Sequence, residues 1–257
     1  MNPLVCCTLL TADRQAMTDR AVRCFLAQTY EPRCLLILDS GRERVRVTKE
    51  ITEVEYNGNV IVGYLNTAPG QSIGKLRNIA TTESINVDII AHWDSDDWSA
   101  PERLAQQVAL LQSSGKDAVG YPEMLFWKRP HGRDCRCGGT GVLEAAVTEM
   151  RCPETGEAWL YRNARQDYCL GTSLVYWRKT WERKPFPDLM TGEDKEWCRG
   201  LDTVGVTAFE YESSCSEPMM VAEIHGGNVS SRIQPDAPEY WTRVPQWDQR
   251  LQEIMKL

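Results

Sequence analysis

The residues best suited to chemistry lie in the segment HWDSDDW, residues 92–98, where Asp94, Asp96 and Asp97 place three carboxylates within four positions. Carboxylates this close repel one another unless a cation lies among them, and oxygen ligands suit a hard divalent ion such as Mg²⁺ or Mn²⁺. An apolar strand precedes the segment and a helix follows it, which predicts a position at a strand's carboxyl end, where ligands bind. The alternative is a solvated acidic turn that caps the next helix.

Two basic residues near a helix start could bind phosphate. Lys75 and Arg77 follow Ser72, where free N–H groups and the helix dipole favour an anion. The alternative is a solvated helix face. The preceding residues, 70–76, resemble a phosphate loop, but three residues separate the glycines where four are required, and Leu76 replaces the Ser or Thr that would bind Mg²⁺. A phosphate-loop kinase or ATPase is therefore disfavoured.

Three further carboxylates follow turn or helix-start signals. Asp39 ends an apolar run, and its carboxylate could accept a hydrogen bond from the imide N–H of a uracil; the alternative is an ordinary turn aspartate. Glu193 and Asp194 follow Gly192 at a predicted helix start. A carboxylate there could take the proton of an attacking hydroxyl, or it could simply cap the helix.

His225 lies in the segment IHGGN, residues 224–228. Its imidazole could ligate a metal ion or donate to a diphosphate, and the glycines would let the backbone approach a ligand closely. The alternative is a structural histidine. The sequence NVS, residues 228–230, matches a glycosylation sequon, which we discount because no export signal precedes the chain's first predicted strand.

A Cys- and Arg-rich insertion, about residues 127–165, departs from the regular pattern of the first half. Its candidate zinc ligands are His131, Cys135, Cys137 and Cys152, although a Cys-x-Cys spacing is unusual for a zinc knuckle. The alternative is a Gly- and Arg-rich loop over an acceptor site. The arginines here could dock an anionic acceptor, including a nucleic acid.

The first half alternates strands and helices, which predicts an α/β fold with a mostly parallel sheet. The predicted strands are Val5–Leu10, Cys34–Leu38, Val60–Leu65, Val87–His92 and Cys169–Trp177. One predicted helix begins after Arg14, and three more span Ser72–Thr82, Pro101–Gln112 and Gly192–Asp202. Ser99 and Glu102 predict a capping box, and Gly115 a helix stop. The segment from Gln234 onward is expected to wrap the surface.

Composition sets broad limits on the fold and its partners. The 257 residues are 42% hydrophobic and 25% charged, which is typical of a globular chain with a sizeable core. The net charge of -7 disfavours a protein that binds the phosphate backbone of nucleic acids non-specifically. No apolar run is long enough to span a membrane, and most of the ten cysteines are expected to be reduced thiols of a cytoplasmic protein.

The motifs together resemble glycosyltransferase family 2, whose members use nucleotide sugars and have the A-type glycosyltransferase fold, a Rossmann-like mostly parallel sheet flanked by helices. The segment DSD, residues 94–96, resembles the family's D-x-D motif. In order along the chain, further matching segments are VCCTLLTADR, LLILDSG, IGKLRNIA, GTSLVYWRKTWERKPFPD, TGEDKEW and VAEIHGGNVS. The resemblance covers most of residues 4–231, and its specificity comes from the order and spacing of motifs that are individually weak.

The resemblance implies a role for each matching residue. It implies that Asp96 ligates Mn²⁺ or Mg²⁺, that Asp94 binds the ribose or completes the metal shell, and that Asp194 is the general base with Glu193 beside it. His225 would join the metal site. Nucleotide-sugar contacts would come from Thr11, Asp13, Arg14, Asp39, Lys75, Arg77 and Asn78. Asp13 stands where the family commonly has Asn. Inversion at the anomeric carbon is the family's usual outcome.

The resemblance implies one glycosyltransferase domain over residues 1–257. Residues 1–120 would bind the nucleotide sugar and metal, and residues 121–257 would bind the acceptor. The expected reaction moves a sugar, with a UDP-sugar as the expected donor, to a hydroxyl of a glycan, a protein, a small molecule or a hydroxylated base of viral DNA. The alternatives are a sugar nucleotidyltransferase and a non-catalytic binding module that is stabilised by a structural zinc ion.

Overall fold

A computed structural model describes residues 2–47, 55–56, 59–60, 62–130, 156–163, 169–205, 217–225, 228 and 239–256. The strands are β1 Val5–Thr11, β2 Arg33–Asp39, β3 Glu55–Tyr56, β4 Asn59–Val60, β5 Val62–Asn66, β6 Ile89–His92, β7 Trp98–Ser99, β8 Ala118–Gly120, β9 Glu123–Lys128, β10 Glu157–Arg162, β11 Val175–Trp177, β12 Thr203–Gly205, β13 Met220–Ile224 and β14 Trp241–Arg243. The α-helices are α1 Gln15–Leu26, α2 Ile73–Glu83, α3 Arg103–Ser114, α4 Arg178–Arg183, α5 Glu193–Cys198 and α6 Asp248–Ile254.

The main sheet has seven strands in the order β12-β8-β11-β6-β1-β2-β5. Strands β6, β1, β2 and β5 are mutually parallel, and β11 is the antiparallel member between β6 and β8. The predicted α/β fold with a mostly parallel sheet is confirmed. Thr11 pairs with Asp39, and Thr8 with His92, so the polar residues that follow these strands meet at one edge of the sheet.

A second sheet has the strand order β14-β10-β9-β13-β7 and packs its own core against α6. Trp247, Leu251 and Ile254 are buried there. The expectation that the chain from residue 234 onward merely wraps the surface is wrong for residues 239–256, because their apolar side chains complete this core. Strand β13 also carries the chain to His225, so this sheet contributes to the same edge as β1 and β6.

Three predicted elements differ from the structure. Helix α3 begins at Arg103 with no side-chain cap, so the capping box is absent, whereas Gly115 takes the predicted left-handed conformation that ends the helix. The predicted strand from residue 169 is a 3₁₀ turn at Gly171–Ser173 followed by the short β11. Helix α5 ends at Cys198, earlier than expected, because Gly200 turns the chain with a positive φ.

Buried Arg20 joins the two sheets. From α1 its guanidinium donates to the backbone oxygen of Asp96 at 2.7 Å and to that of Met255 at 3.0 Å, and it pairs with the Glu223 carboxylate at 2.5 Å. Glu223 is 2% exposed. A buried charge is tolerated only when it is paired and hydrogen-bonded. Arg20 therefore holds the Asp96 backbone, β13 and the chain after α6 in one arrangement.

The described residues test two further expectations about the chain. None of their helices combines the length and hydrophobicity needed to cross a bilayer. Among the described cysteines, Cys6, Cys7, Cys24, Cys34 and Cys198 have free thiols.

We predict that Arg20→Met lowers the free energy of unfolding by about 3 kcal/mol, because it removes the buried one of the two arginines that pair with the Glu223 carboxylate and the donor to the Asp96 and Met255 backbone oxygens. Urea unfolding followed by circular dichroism measures this loss. Arg250→Ala is the control, since its ion pairs are at the surface and are worth less than about 1 kcal/mol. Equal stability of the two variants would contradict a structural role for Arg20.

Candidate functional site

The loop after β6 carries Asp94, Asp96 and Asp97, and each has a different partner. Asp94 faces Arg77 of α2, with oxygen-to-nitrogen distances of 3.2 and 3.3 Å in a two-pronged pair. Burial alone would raise the pKa of the Asp94 carboxyl, but the Arg77 guanidinium holds that pKa below its ordinary value. Asp94 is therefore an anion that is already fixed in place.

Arg77 lies between two carboxylates. It is 5% exposed, and its Nε is 3.6 Å from the Glu193 carboxylate on α5. Burial opposes the charged guanidinium, but Asp94 and Glu193 together raise the Arg77 pKa above its ordinary value. Burial also raises the pKa of Glu193, and Arg77 offsets only part of that effect. Arg77 thereby connects the loop after β6 to the start of α5.

Three side-chain nitrogen atoms converge on one oxygen of Asp96, which is 9% exposed. Oδ2 lies 2.9 Å from Arg14 Nη1, 3.1 Å from His225 Nε2 and 3.0 Å from Asn228 Nδ2. These partners come from the turn before α1 and from the end of β13. The structure therefore brings together Asp96, Arg14 and His225, which the sequence named as site residues, and adds Asn228.

The 3₁₀ turn at Gly171–Ser173 contacts the site through Asp97 and His92. The Thr172 hydroxyl donates to Asp97, whose pKa is raised well above its ordinary value by burial and by the neighbouring charges of Asp96 and Asp94. The His92 ring is buried, and its Nδ1 lies 2.7 Å from the Gly171 oxygen. Burial, and then the charge of Arg77, lowers the pKa of His92 well below its ordinary value, so the ring is neutral.

Asp194 is half-buried against the same turn. A Cβ on Gly171 would lie 2.6 Å from the Cβ and Cγ of Asp194, so only glycine permits this approach. Asp194 Oδ1 accepts a hydrogen bond from the backbone N–H of Lys195 at 2.8 Å. The carboxylate is thus positioned at the start of α5, next to Glu193.

Two other predicted site residues organise the loop after β2. Asp39 is fully buried; its carboxylate accepts from the backbone N–H groups of Gly41 and Val45, both at 2.8 Å, and from the Tyr64 hydroxyl at 2.7 Å. Asp13, at a positive φ of 57°, accepts from the backbone of Glu43 at 2.7 Å. The contact of Asp39 with a base stays a prediction, and it requires this loop to rearrange.

The remaining predicted nucleotide contacts have different environments. Thr11 is buried and shares a 2.7 Å hydrogen bond with Thr18, which fixes the start of α1. Lys75 is exposed near the start of α2. The Asn78 amide donates to the Phe186 oxygen and accepts from Trp181 and from the Phe186 backbone N–H. These bonds tie α2 to the chain before α5, and a contact of Asn78 with a nucleotide stays a prediction.

An open groove of about 570 Å³ is lined by Arg14 and His225, both of which contact Asp96. Residues 12–17 form one wall, and Arg14, Arg129 and His225 contribute the groups that could face an anion. Arg129 is half-exposed and pairs with the buried Glu223. The candidate zinc ligands His131, Cys135, Cys137 and Cys152 lie outside the described residues.

In the described parts of the chain, no three His, Cys, Asp or Glu side chains already converge as a complete metal cage. Asp96 Oδ2 and His225 Nε2 nevertheless offer an oxygen and an imidazole nitrogen 3.1 Å apart. A hard divalent ion in a nucleotide site takes one or two protein ligands, and completes its shell with water and phosphate oxygens. The donor set of Asp96 and His225 fits such an ion, whereas Asp94 is engaged by Arg77.

The sequence alone did not identify several contributors. Arg20, Arg103 and Thr172 support the loop without a motif of their own; Arg103 is buried and donates to the backbone oxygens of His92 and Thr172. Asn228 did have a signal, because it belongs to the IHGGN segment. The others could be found only from contacts between distant parts of the chain.

Solved glycosyltransferase structures resemble this chain. S. aureus TarS 1-349 in complex with UDP-GlcNAc aligns at a TM-score of 0.58 and 16% identity, covering 91% of this chain and 62% of that one. GalNAc-T7 with UDP, GalNAc and Mn²⁺ aligns at 0.57 and 12% identity, covering 86% and 44%.

The mannosyltransferase PcManGT from Pyrobaculum calidifontis, in complex with GDP-Man and Mn²⁺, aligns at a TM-score of 0.54 and 14% identity, covering 87% of this chain and 57% of that one. The chain therefore spans less than two thirds of the length of these structures. No protein-family model and no curated protein sequence matches it. The likeness shows that the chain has the A-type glycosyltransferase fold.

We predict that neutral His92 makes stability depend on pH. Its folded pKa lies well below the ordinary 6.5, so only the unfolded chain takes up this proton as pH falls through 6.5, and stability is lost there. Between pH 7.5 and pH 5 the wild type should lose about 2 kcal/mol more than His92→Gln, at ~1.4 kcal/mol per pH unit. Urea unfolding at both pH values measures the difference, and equal losses would contradict the assignment.

Proposed function

We propose that the chain is a metal-dependent glycosyltransferase of the family-2 type, which moves a sugar from a nucleoside-diphosphate sugar to an acceptor hydroxyl. The observation that carries the proposal is the position of Asp96 and His225 at the edge where β1, β2 and β6 end. The carboxylate of Asp94 and the start of α5 lie on either side of Arg77 at the same edge. The residues that bind the sugar donor and the base that activates the acceptor would then lie at the same edge of the sheet.

The donor is proposed to be a UDP-sugar. Neighbours of the same fold were solved with UDP, UDP-GlcNAc or GDP-Man, which supports a nucleotide-sugar donor. In this chain, the groove next to Asp96 presents Arg14 and Arg129, whose guanidinium groups can bind diphosphate oxygens. Lys75 and the start of α2 would add positive potential on the other side.

Asp96 and His225 would hold Mn²⁺ or Mg²⁺, and two neighbours of this fold were solved with Mn²⁺. When bound, the ion neutralises the charge that develops on the departing diphosphate. Arg77 holds the Asp94 side chain in one orientation. The Asp94 carboxylate could therefore bind the ribose without a further loss of side-chain freedom. The Thr172 hydroxyl and the Arg103 contacts fix the loop that carries all three aspartates.

Asp194 is proposed as the general base. A half-exposed carboxylate at the start of α5 can accept the proton of the attacking hydroxyl, while the backbone N–H of Lys195 stabilises its charge. The adjacent Glu193 is buried, and its carboxylate already pairs with Arg77. Attack from the side opposite the leaving group gives inversion at the anomeric carbon. An acceptor-side base favours sugar transfer over nucleotidyl transfer, which needs none.

We predict that Asp96→Ala abolishes both donor hydrolysis and transfer, a loss of at least about a hundredfold, because it removes the carboxylate oxygen that is proposed to hold the metal ion. Product release from UDP-, GDP- and dTDP-sugars with Mn²⁺ measures the effect. Asp202→Ala is the control, since its side chain lies at the surface and pairs with Lys116. Full activity of Asp96→Ala in EDTA would remove the metal from the mechanism.

We predict that Asp194→Asn retains donor binding but slows transfer by about a hundredfold or more, because the amide cannot accept the hydroxyl proton. Gly171→Ala should also slow transfer, since its Cβ would displace Asp194. Calorimetric titration of donor and single-turnover transfer measure the two properties separately. Loss of donor binding in Asp194→Asn would show that this carboxylate belongs to the donor site instead.

A further inference from the structure

The buried carboxylate of Glu223, on β13, lies between two arginines. Its Oε2 is 2.5 Å from Nη2 of Arg20, which is also buried. Its other oxygen, Oε1, forms an ion pair with Nε of Arg129 and receives no hydrogen bond from the described residues. A buried carboxylate is costly without a counter-charge. The charge of Glu223 therefore keeps both guanidinium groups close to it.

Arg129 is held at its backbone as well as at its guanidinium group. Its backbone N–H donates to the Ile224 oxygen at 3.1 Å, directly after the parallel pairing of β9 with β13. Its Nε meets Glu223, one residue before Ile224. The side chain is nevertheless 51% exposed, and Arg129 lines the groove beside His225. One part of the guanidinium thus meets a buried anion, and the rest can meet a ligand in the groove.

Glu223 also reaches the proposed metal ligand Asp96 by two routes. Its buried partner Arg20 donates to the Asp96 backbone oxygen at 2.7 Å. The Glu223 backbone oxygen accepts from the Asn228 amide at 3.0 Å, and the same amide nitrogen lies 3.0 Å from Asp96 Oδ2. One buried glutamate therefore contacts the residues that fix Asp96 and an arginine of the groove.

We propose that Glu223 is a positioning residue of the donor site, and that its carboxylate orients Arg129 toward the diphosphate of the nucleotide sugar. This inference rests on the proposed function. A mobile arginine loses side-chain entropy when it binds an anion, whereas a guanidinium already held by a carboxylate loses less. Because Glu223 engages Nε, the two Nη groups of Arg129 can approach phosphate oxygens together. Donor binding is thereby strengthened without any contact between Glu223 and the donor.

The test measures the affinity for UDP at saturating Mn²⁺ by calorimetric titration. Arg129→Gln should bind UDP about tenfold more weakly than the wild type, because charge-assisted hydrogen bonds to phosphate are lost. Glu223→Asp keeps the negative charge but is one methylene shorter, so it cannot keep both arginine contacts. It should bind UDP about fivefold more weakly, because Arg129 must then be ordered by the ligand. In the Arg129→Gln background, Glu223→Asp should weaken binding by less than about twofold.

Two further variants separate positioning from charge and from folding. Glu157→Asp is the matched control, because Glu157 pairs with Lys128 at 3.1 Å on the neighbouring strand and does not line the groove. It should leave UDP affinity within about twofold. Arg129→Lys keeps a positive charge at a half-exposed position, but a lysine ammonium lacks the separate Nε that pairs with Glu223. It should bind UDP about as weakly as Arg129→Gln.

The outcomes distinguish the positioning role from the proposed function. Unchanged UDP affinity in Arg129→Gln or in Arg129→Lys would overturn the positioning role. So would an equal loss from Glu223→Asp with and without Arg129. Each of these results leaves the proposed function standing while the wild type binds UDP in an Mn²⁺-dependent manner. If Glu223→Asp does not fold, the Arg129→Lys result alone decides. A wild type that binds neither UDP nor GDP with Mn²⁺ would overturn both.

Discussion

The site depends on one electrostatic constraint: three carboxylates that follow β6 must be neutralised away from bulk water. Arginines meet this constraint for Asp94 and Asp96, whereas burial and the two neighbouring charges raise the pKa of Asp97. Arg77 on α2 pairs with Asp94, Arg14 before α1 pairs with Asp96, and Arg20 holds the Asp96 backbone. A buried charge is costly without a partner. The helices that carry these arginines must therefore pack on the sheet for the site to form.

A second consequence concerns the acceptor side. The Gly171–Ser173 turn contacts His92, Asp97 and Asp194, so the carboxylate of α5 is positioned by the same loop that positions the aspartates. Burial keeps His92 neutral, which lets it pack among the aromatic rings of Tyr176 and Phe186 without a counter-ion. The donor and acceptor sides thus share a rigid support, and a change on one side is expected to reach the other.

The sequence predicted the fold class and the edge at which the site lies, because both follow from local signals: strand and helix periodicity, and polar residues at strand ends. It did not predict that Asp39 is buried beneath its own loop, that Asn78 ties α2 to the chain before α5, or that Trp247 completes a second core. Each of these depends on contacts between residues far apart in the chain. The missing capping box at α3 has the same origin, since buried Arg103 begins that helix instead.

The acidic net charge and the proposed anionic donor are compatible for a local reason. The chain carries -7 overall, yet the groove beside Asp96 gathers Arg14 and Arg129, each held by a buried carboxylate, Asp96 or Glu223. Neutralised pairs of this kind place two guanidinium groups at the groove without a strong net positive field, which limits non-specific attraction of other polyanions.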